Sequence, residues 1–241
     1  MAILIGIATM QRDNICIDDF ISNFKKIQPF YQKLFVVDNK SGDRYKNKIK
    51  EICRINWYDY LDLGEVIIPD EYKEIPKELG FSPYLVQVRN KIREEAIKRG
   101  CDYLVFLDSD NFPPPNWIET LQPFFKKHDD VGIIGGLCSR RGTNIKINGN
   151  DAVCINFFMK EKDKADWILK NIMKFEHVIV DGISLSGAII KRECFENVRF
   201  EMSKKYGEDI NFCLKAREKG WKTLITPSVY IKHYHPDGKI V

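Results

Sequence analysis

"YLVFLDSDNFPPPNW", Tyr103 to Trp117, decides how the chain is read. Its first five residues are apolar at every position, the pattern of a strand buried on both faces in a parallel sheet, whereas a half-exposed strand alternates. Two carboxylates one residue apart, Asp108 and Asp110, follow at the strand's carboxyl end, and three prolines then hold Asp110 off the next helix. In an open α/β sheet ligands bind beyond the carboxyl ends of the strands. Two carboxylates there suit a hard divalent cation such as Mg²⁺, which takes few protein oxygens and completes its shell with water and phosphate. The plainer reading of D-x-D is an acidic turn that caps a helix.

Working outward, the same edge recurs twice. Strand "AILIGIA" runs into Thr9 and Arg12, and "LFVV" runs into Asp38. Asp38 can accept a hydrogen bond from a base or ribose, and Arg12 can meet phosphate. Apolar runs at Ala2–Ala8, Lys33–Val37, Gly64–Ile68 and Tyr103–Leu107 alternate with helical patterns at Asp18–Ile27, Tyr45–Cys53 and Pro83–Arg99, which describes βαβ units. The helix from Pro83 has Ser82 as its N-cap and Gly100 beyond its last turn. Leu85, Val88, Ile92 and Ala96 form its core stripe, and Arg89 falls only about 55° from the stripe's centre. Either its stem packs while its head reaches a carboxylate, or it contacts a ligand.

The second half reads as mixed α and β. A helix is expected over Asn116–Lys127, followed by strands in "VGIIGGLCSRR" and "DAVCINFFM", a helix over Lys164–Lys174, the segment "VIVDGISLSGAIIKRE", a helix from Glu208 to Lys219 and a last strand in "TLITPSVYIKHYH". Asp181 and Gly187 lie in a segment whose small residues allow a ligand close to the backbone, or simply make a tight turn. Trp117 is either core or a platform for a sugar. His233 and His235 share one face of an extended strand, so either both point into one site or both are surface histidines; if a metal ligand comes from this region, His233 is the choice by its position after the last strand.

Composition narrows the function classes. The 241 residues are 44% apolar, enough for a core, and 38 Lys and Arg against 34 Asp and Glu leave no dense basic block for nucleic acid. Seven scattered cysteines without a C-x-x-C pair argue against a disulfide framework and point to a reducing cytoplasm. No apolar run spans a bilayer, so membrane contact would be peripheral. Neither G-x-x-x-x-G-K-[ST] nor G-x-G-x-x-G is present, which removes support for kinase, NTPase and dinucleotide readings.

Taken in order, "IATMQRDN", "VVDNKSGD", "VRNKIREEA", "YLVFLDSDNFPPPNWIETL", "DGISLSGAIIKRECFE" and "YGEDINFCLKAREKGW" resemble family 2-type glycosyltransferases of the GT-A fold. The resemblance covers most of the chain. It implies a Rossmann-like, mostly parallel central sheet flanked by helices, with a smaller mixed or antiparallel acceptor-side portion. A single domain is expected, with residues 1–110 binding nucleotide and 111–241 binding acceptor. The implied reaction moves a sugar from a nucleotide-diphosphate donor, a UDP-sugar before a GDP-sugar, to an acceptor hydroxyl of unspecified kind. Asp108 and Asp110 match the D-x-D pair that positions Mn²⁺ or Mg²⁺, Asp38 the base-contacting aspartate, and Arg89 the arginine of the A-R-N segment. Asp209 matches the general base of inverting members, with Glu208 beside it to orient acceptor or base. The chain departs from the pattern in "ATMQRD", where a proline and a tyrosine are usual, and in "QVRN". Two other classes stay open: a non-catalytic binder of the same fold, and a sugar nucleotidyltransferase.

Overall fold

A computed structural model describes residues 1–38, 40–66, 68–72, 83–138, 145–147, 150–152 and 157–234. The first half alternates as expected: β1 (Ile3–Thr9), α1 (Ile17–Phe24), β2 (Gln32–Val37), α2 (Asp43–Asn56), β3 (Asp59–Asp62), α3 (Pro83–Lys98) and β4 (Tyr103–Asp108). There follow β5 (Asn111–Phe112), α4 (Trp117–Leu121), α5 (Phe124–Lys127), β6 (Val131–Cys138), β7 (Ile145–Ile147), β8 (Asn150–Ala152) and β9 (Phe157–Phe158). The last part holds α6 (Lys162–Asn171), β10 (Val178–Val180), β11 (Gly182–Ile183), β12 (Ile189–Lys191), α7 (Arg192–Asn197), α8 (Glu208–Glu218) and β13 (Lys222–His233). Among the described residues no helix is long and apolar enough to cross a bilayer.

One nine-stranded sheet runs β10-β13-β6-β12-β4-β1-β2-β3, with β5 paired to β13. β1 is parallel to β2 and β4, β2 to β3, and β6 to β13, while β12 is antiparallel to both β4 and β6. Two reversals cancel, so β4, β6 and β13 end at the same edge as β1 and β2. The sheet continues through both halves of the chain. β9 and β11, and β7 and β8, form two small antiparallel pairs.

Both faces of the sheet are covered, which is why its strands lack alternation. Ile3, Ile5, Ile7, Phe35 and Leu107 pack under Phe20, Phe24, Trp117 and Leu121 of α1 and α4. Leu4, Ala8, Val36, Leu104 and Phe106 pack under Val88, Ile92 and Ala96 of α3, with Phe195 and Phe212 of α7 and α8 alongside. Each Val, Leu, Ile and Phe among them contributes roughly 1.5–3 kcal/mol on burial. Gly6 lets α3 lie on β1, since a Cβ there would overlap Ile92.

Two expectations need correction. The third strand is Asp59–Asp62, not Gly64–Ile68; it pairs with β2 on one side only and is half-exposed, so its apolar signal is diluted. Ile67 lies outside the described residues, as does the expected N-cap Ser82. The helix expected over Asn116–Lys127 divides into α4 and α5, because Pro123 has no N–H to continue the ladder.

Gly187 fixes how β12 enters the sheet. Its φ is +79°, its amide donates to the Phe106 carbonyl at 2.6 Å, and an added Cβ would overlap Ile231 Cδ1. Gly187→Ala is expected to cost roughly 2–5 kcal/mol, from left-handed backbone strain and overpacking together. Gly220→Ala, at φ +91° with open space around it, should cost only the backbone share. Urea unfolding of the two variants checks the difference.

Candidate functional site

The carboxyl edge of β1, β2 and β4 gathers the polar residues. Backbone bonds from Asp38 N to Thr9 O (3.3 Å) and from Ser109 N to Ala8 O (3.2 Å) carry the ladder one step past β1. Thr9, Asp38 and the Asp108–Asp110 turn therefore stand side by side. Asp38 closes a small turn, its Oδ1 accepting from Ser41 N at 3.0 Å and Ser41 Oγ at 2.5 Å. Arg12 stands at the rim with its side chain 63% exposed, 3.5 Å from Asp13.

Arg89 is the centre of the site. It is 1% exposed, and its guanidinium lies 4.9 Å from the centre of the Phe106 ring. Nε is 2.8 Å from Asp209 Oδ1 and 3.9 Å from Glu208 Oε1, and Nη2 is 3.3 Å from Asp209 Oδ2 and 3.7 Å from Asp108 Oδ1. Burial pulls the guanidinium down, but Asp209, Asp108 and Glu208 hold it above its ordinary value. The sequence offered Arg89 as a donor-binding residue, with packing against a carboxylate as the alternative. The structure directs it to carboxylates.

Those carboxylates differ among themselves. Burial raises Asp108 to about 6, against the pull of Arg89 and with help from Asp110, Asp209 and Asp13; its side chain is still 33% exposed. Burial and Asp209 raise Glu208 to about 8, again against Arg89. Asp209, in the first turn of α8, is oriented by the Leu185 amide at 2.9 Å and the Ser184 hydroxyl at 3.5 Å.

Asp110 is held from the other side. β5 pairs with the end of β13, setting His233 opposite Asn111. His233 Nε2 is 3.4 Å from Asp110 Oδ2, Asn111 Nδ2 donates to Asp110 Oδ1 at 2.8 Å, and Tyr234 N donates to the Asp110 carbonyl at 2.8 Å. This strand pairing, ahead of the three prolines, keeps Asp110 away from α4. His235 lies outside the described residues.

Among the described residues no group of three or more metal-type side chains forms a closed cage. The donor set still fits a hard cation bound by few protein oxygens: Asp108 Oδ1 is buried with no hydrogen-bond donor, and Asp110 and Asp13 add negative charge close to Asp108, while Asp108, Glu208 and Asp209 surround one arginine.

Three expected site residues lie elsewhere. Asp181 is ion-paired to Arg217 and accepts from Lys160 N at 2.7 Å; Arg217 is at the far end of α8, about 12 Å along the helix from Asp209. Trp117 is 0% exposed and donates its indole N–H to the Gly187 carbonyl at 3.1 Å, so no ring face is open to a sugar. Gly187 packs beneath Ile231, and it is its neighbour Ser186 that meets the site, its Oγ accepting from Asp108 N at 2.9 Å. Sequence reading missed Asp13, Tyr45 and Ser109, all buried beneath the turn; the only signal was an acidic residue next to Arg12 in "MQRDN".

The family model for "Glycosyltransferase like family 2" matches residues 75–239. No curated sequence matches the chain. Among solved structures the chain is similar to A197 from STIV, with 16% identity and a TM-score of 0.54, covering 100% of this chain and 93% of that one. It is also similar to S. aureus TarS 1-349, with 14% identity and a TM-score of 0.57, covering 95% of this chain but 60% of that one. TarS 1-349 in complex with UDP-GlcNAc gives the same TM-score at 14% identity, with 95% and 58% covered. At such identities the likeness is one of fold.

Arg89→Ala is expected to destabilise by roughly 3–5 kcal/mol, because it strands buried carboxylates; chemical unfolding measures it. Glu208 makes a second, pH-dependent expectation. Its folded value of about 8 exceeds its ordinary 4.5, so the folded chain keeps a proton that the unfolded chain releases. That contribution is complete below about 4.5 and is lost as pH rises toward about 8. Glu208→Gln should therefore show a smaller fall in Tm between about pH 5 and pH 8 than the parent.

Proposed function

The chain belongs to glycosyltransferase like family 2, and from that membership we propose that it transfers a sugar from a nucleotide-diphosphate donor to an acceptor hydroxyl with inversion at the anomeric carbon. It is a transferase of GT-A fold. The observation that carries the reading is the cluster in which Arg89 joins Asp108, on the donor edge of the sheet, to Asp209, at the start of α8.

Within that cluster Asp209 is the general base. Glu208, raised to about 8, holds its proton at neutral pH, whereas Asp209 is fixed by Leu185 N and Arg89 and keeps a partly exposed side chain. It takes the acceptor's hydroxyl proton as the oxygen attacks the anomeric carbon. Asp38 accepts a base N–H, and Thr9 and Arg12 line the route to the diphosphate. Asp108 and Asp110, with His233 against Asp110, would hold Mn²⁺ or Mg²⁺, which when bound stabilises negative charge on the departing diphosphate. A UDP-sugar is favoured over a GDP-sugar, a choice supported by the UDP-GlcNAc complex of TarS 1-349. None of the six described cysteines forms a disulfide, which supports a reducing, cytoplasmic setting.

A panel of UDP- and GDP-sugars assayed for Mn²⁺-dependent nucleotide release tests this reading. Asp209→Asn should lower transfer by about 10²–10⁴-fold while calorimetry shows donor affinity retained. Asp108→Ala should instead weaken Mn²⁺-dependent donor binding. A chain that binds donor and never releases nucleotide, with Asp209→Asn indistinguishable from the parent, would be a binder of the same fold.

A further inference from the structure

Beneath the Asp108–Asp110 turn four buried side chains form a line of oxygens. Tyr45 Oη is 2.5 Å from Thr9 Oγ1, Thr9 Oγ1 is 2.9 Å from Ser109 Oγ, and Ser109 Oγ is 2.7 Å from Asp13 Oδ2. All four residues are buried. Counting protons orders them. With Asp13 ionised its carboxylate only accepts, so Ser109 gives its single hydroxyl proton to Asp13 and has none left for Thr9, which then donates to Ser109 and accepts from Tyr45. The line has one direction and ends on Asp13.

Asp13 is itself anchored, accepting from Met10 N at 3.1 Å. The Cys16 thiol adds contacts to the carbonyls of Asp13 at 3.3 Å and Ser109 at 3.6 Å. Stability alone is a poor reason for Asp13: burying a carboxylate is costly, Asp108 and Asp110 add like charge nearby, and the cation facing it, Arg12 at 3.5 Å, is itself largely exposed. A charged acceptor does make the bond to Ser109 roughly twice as strong as a neutral one would. Ser109 is the residue between the two carboxylates, and it points away from them into the protein.

We propose that Asp13 is a positioning residue which, through Ser109, fixes the backbone of the turn so that Asp108 and Asp110 stay aimed into the cleft. The inference rests on reading those two carboxylates as the cation-holding pair. Neither Asp13 nor Ser109 touches the cation in this scheme; each acts through the shape of the turn, as outer partners of metal ligands do.

Hydrogen exchange and Mn²⁺ titration, done on the full chain, test it together. In Ser109→Ala and in the milder Asp13→Asn, amides of residues 109–112 should exchange faster while those of β2 keep the parent rate. Mn²⁺ alone should bind on the order of 10-fold more weakly, and the double variant should bind no more weakly than Ser109→Ala, because one line of contacts is being cut twice. Tyr45→Phe, which removes only the far hydroxyl, should move exchange in the same direction by less and keeps the test open if a nearer variant does not fold. Unchanged exchange at 109–112, or Mn²⁺ losses that add, would overturn the proposal. Faster exchange in the variants of a chain that binds no Mn²⁺ would overturn the cation reading and leave Asp13 as the holder of the turn.

Discussion

The site depends on one guanidinium buried among three carboxylates. Arg89 comes from the face of α3 that also packs Val88, Ile92 and Ala96 onto the sheet, so its position is set by the core. A buried charge is tolerated only when paired in good geometry, and Arg89 meets this through Asp209, with Asp108 and Glu208 farther off. Because the planar fork spans both Asp108 and Asp209, the end of β4 and the start of α8 share one frame. The carboxyl edge of the sheet and the head of α8 are thus registered by a contact that leaves the arginine itself with little reach to a ligand.

That arrangement explains why the two acidic residues at the head of α8 behave differently. Asp209 takes the short contacts, to Arg89 and to the Leu185 amide. Glu208 is left with the longer approach and a buried setting that favours its neutral form. Two adjacent acids in a helix's first turn, interchangeable by helix-dipole reasoning, become unlike through their neighbours.

Much of this was legible in the chain. Strands buried on both faces announce themselves by unbroken apolar runs, as in β1, β2 and β4, and an α/β sheet then places Thr9, Asp38 and Asp108 at one edge without further information. The edge strand β3 was not legible, since a strand paired on one side and half-exposed carries a mixed pattern. Asp181, Gly187 and Trp117 were left with two readings for a common reason: a small residue, an acid or a tryptophan near a loop looks the same whether it faces ligand or a neighbouring side chain. Arg217 and Ile231, which decide for Asp181 and Gly187, are distant in sequence. Asp13 was invisible because its partner Ser109 lies on another strand's turn.

The topology of β13 has a consequence for how the molecule is made. This strand lies between β10 and β6 and then reaches β5, where His233 and Tyr234 meet Asp110. During synthesis, a chain that has emerged only as far as α7 has β6 with one edge open and Asp110 without these two neighbours. Pairings between such distant segments close late and slowly. The cleft is therefore assembled at the end of folding, and an open β6 edge is where a stalled chain would meet another and aggregate.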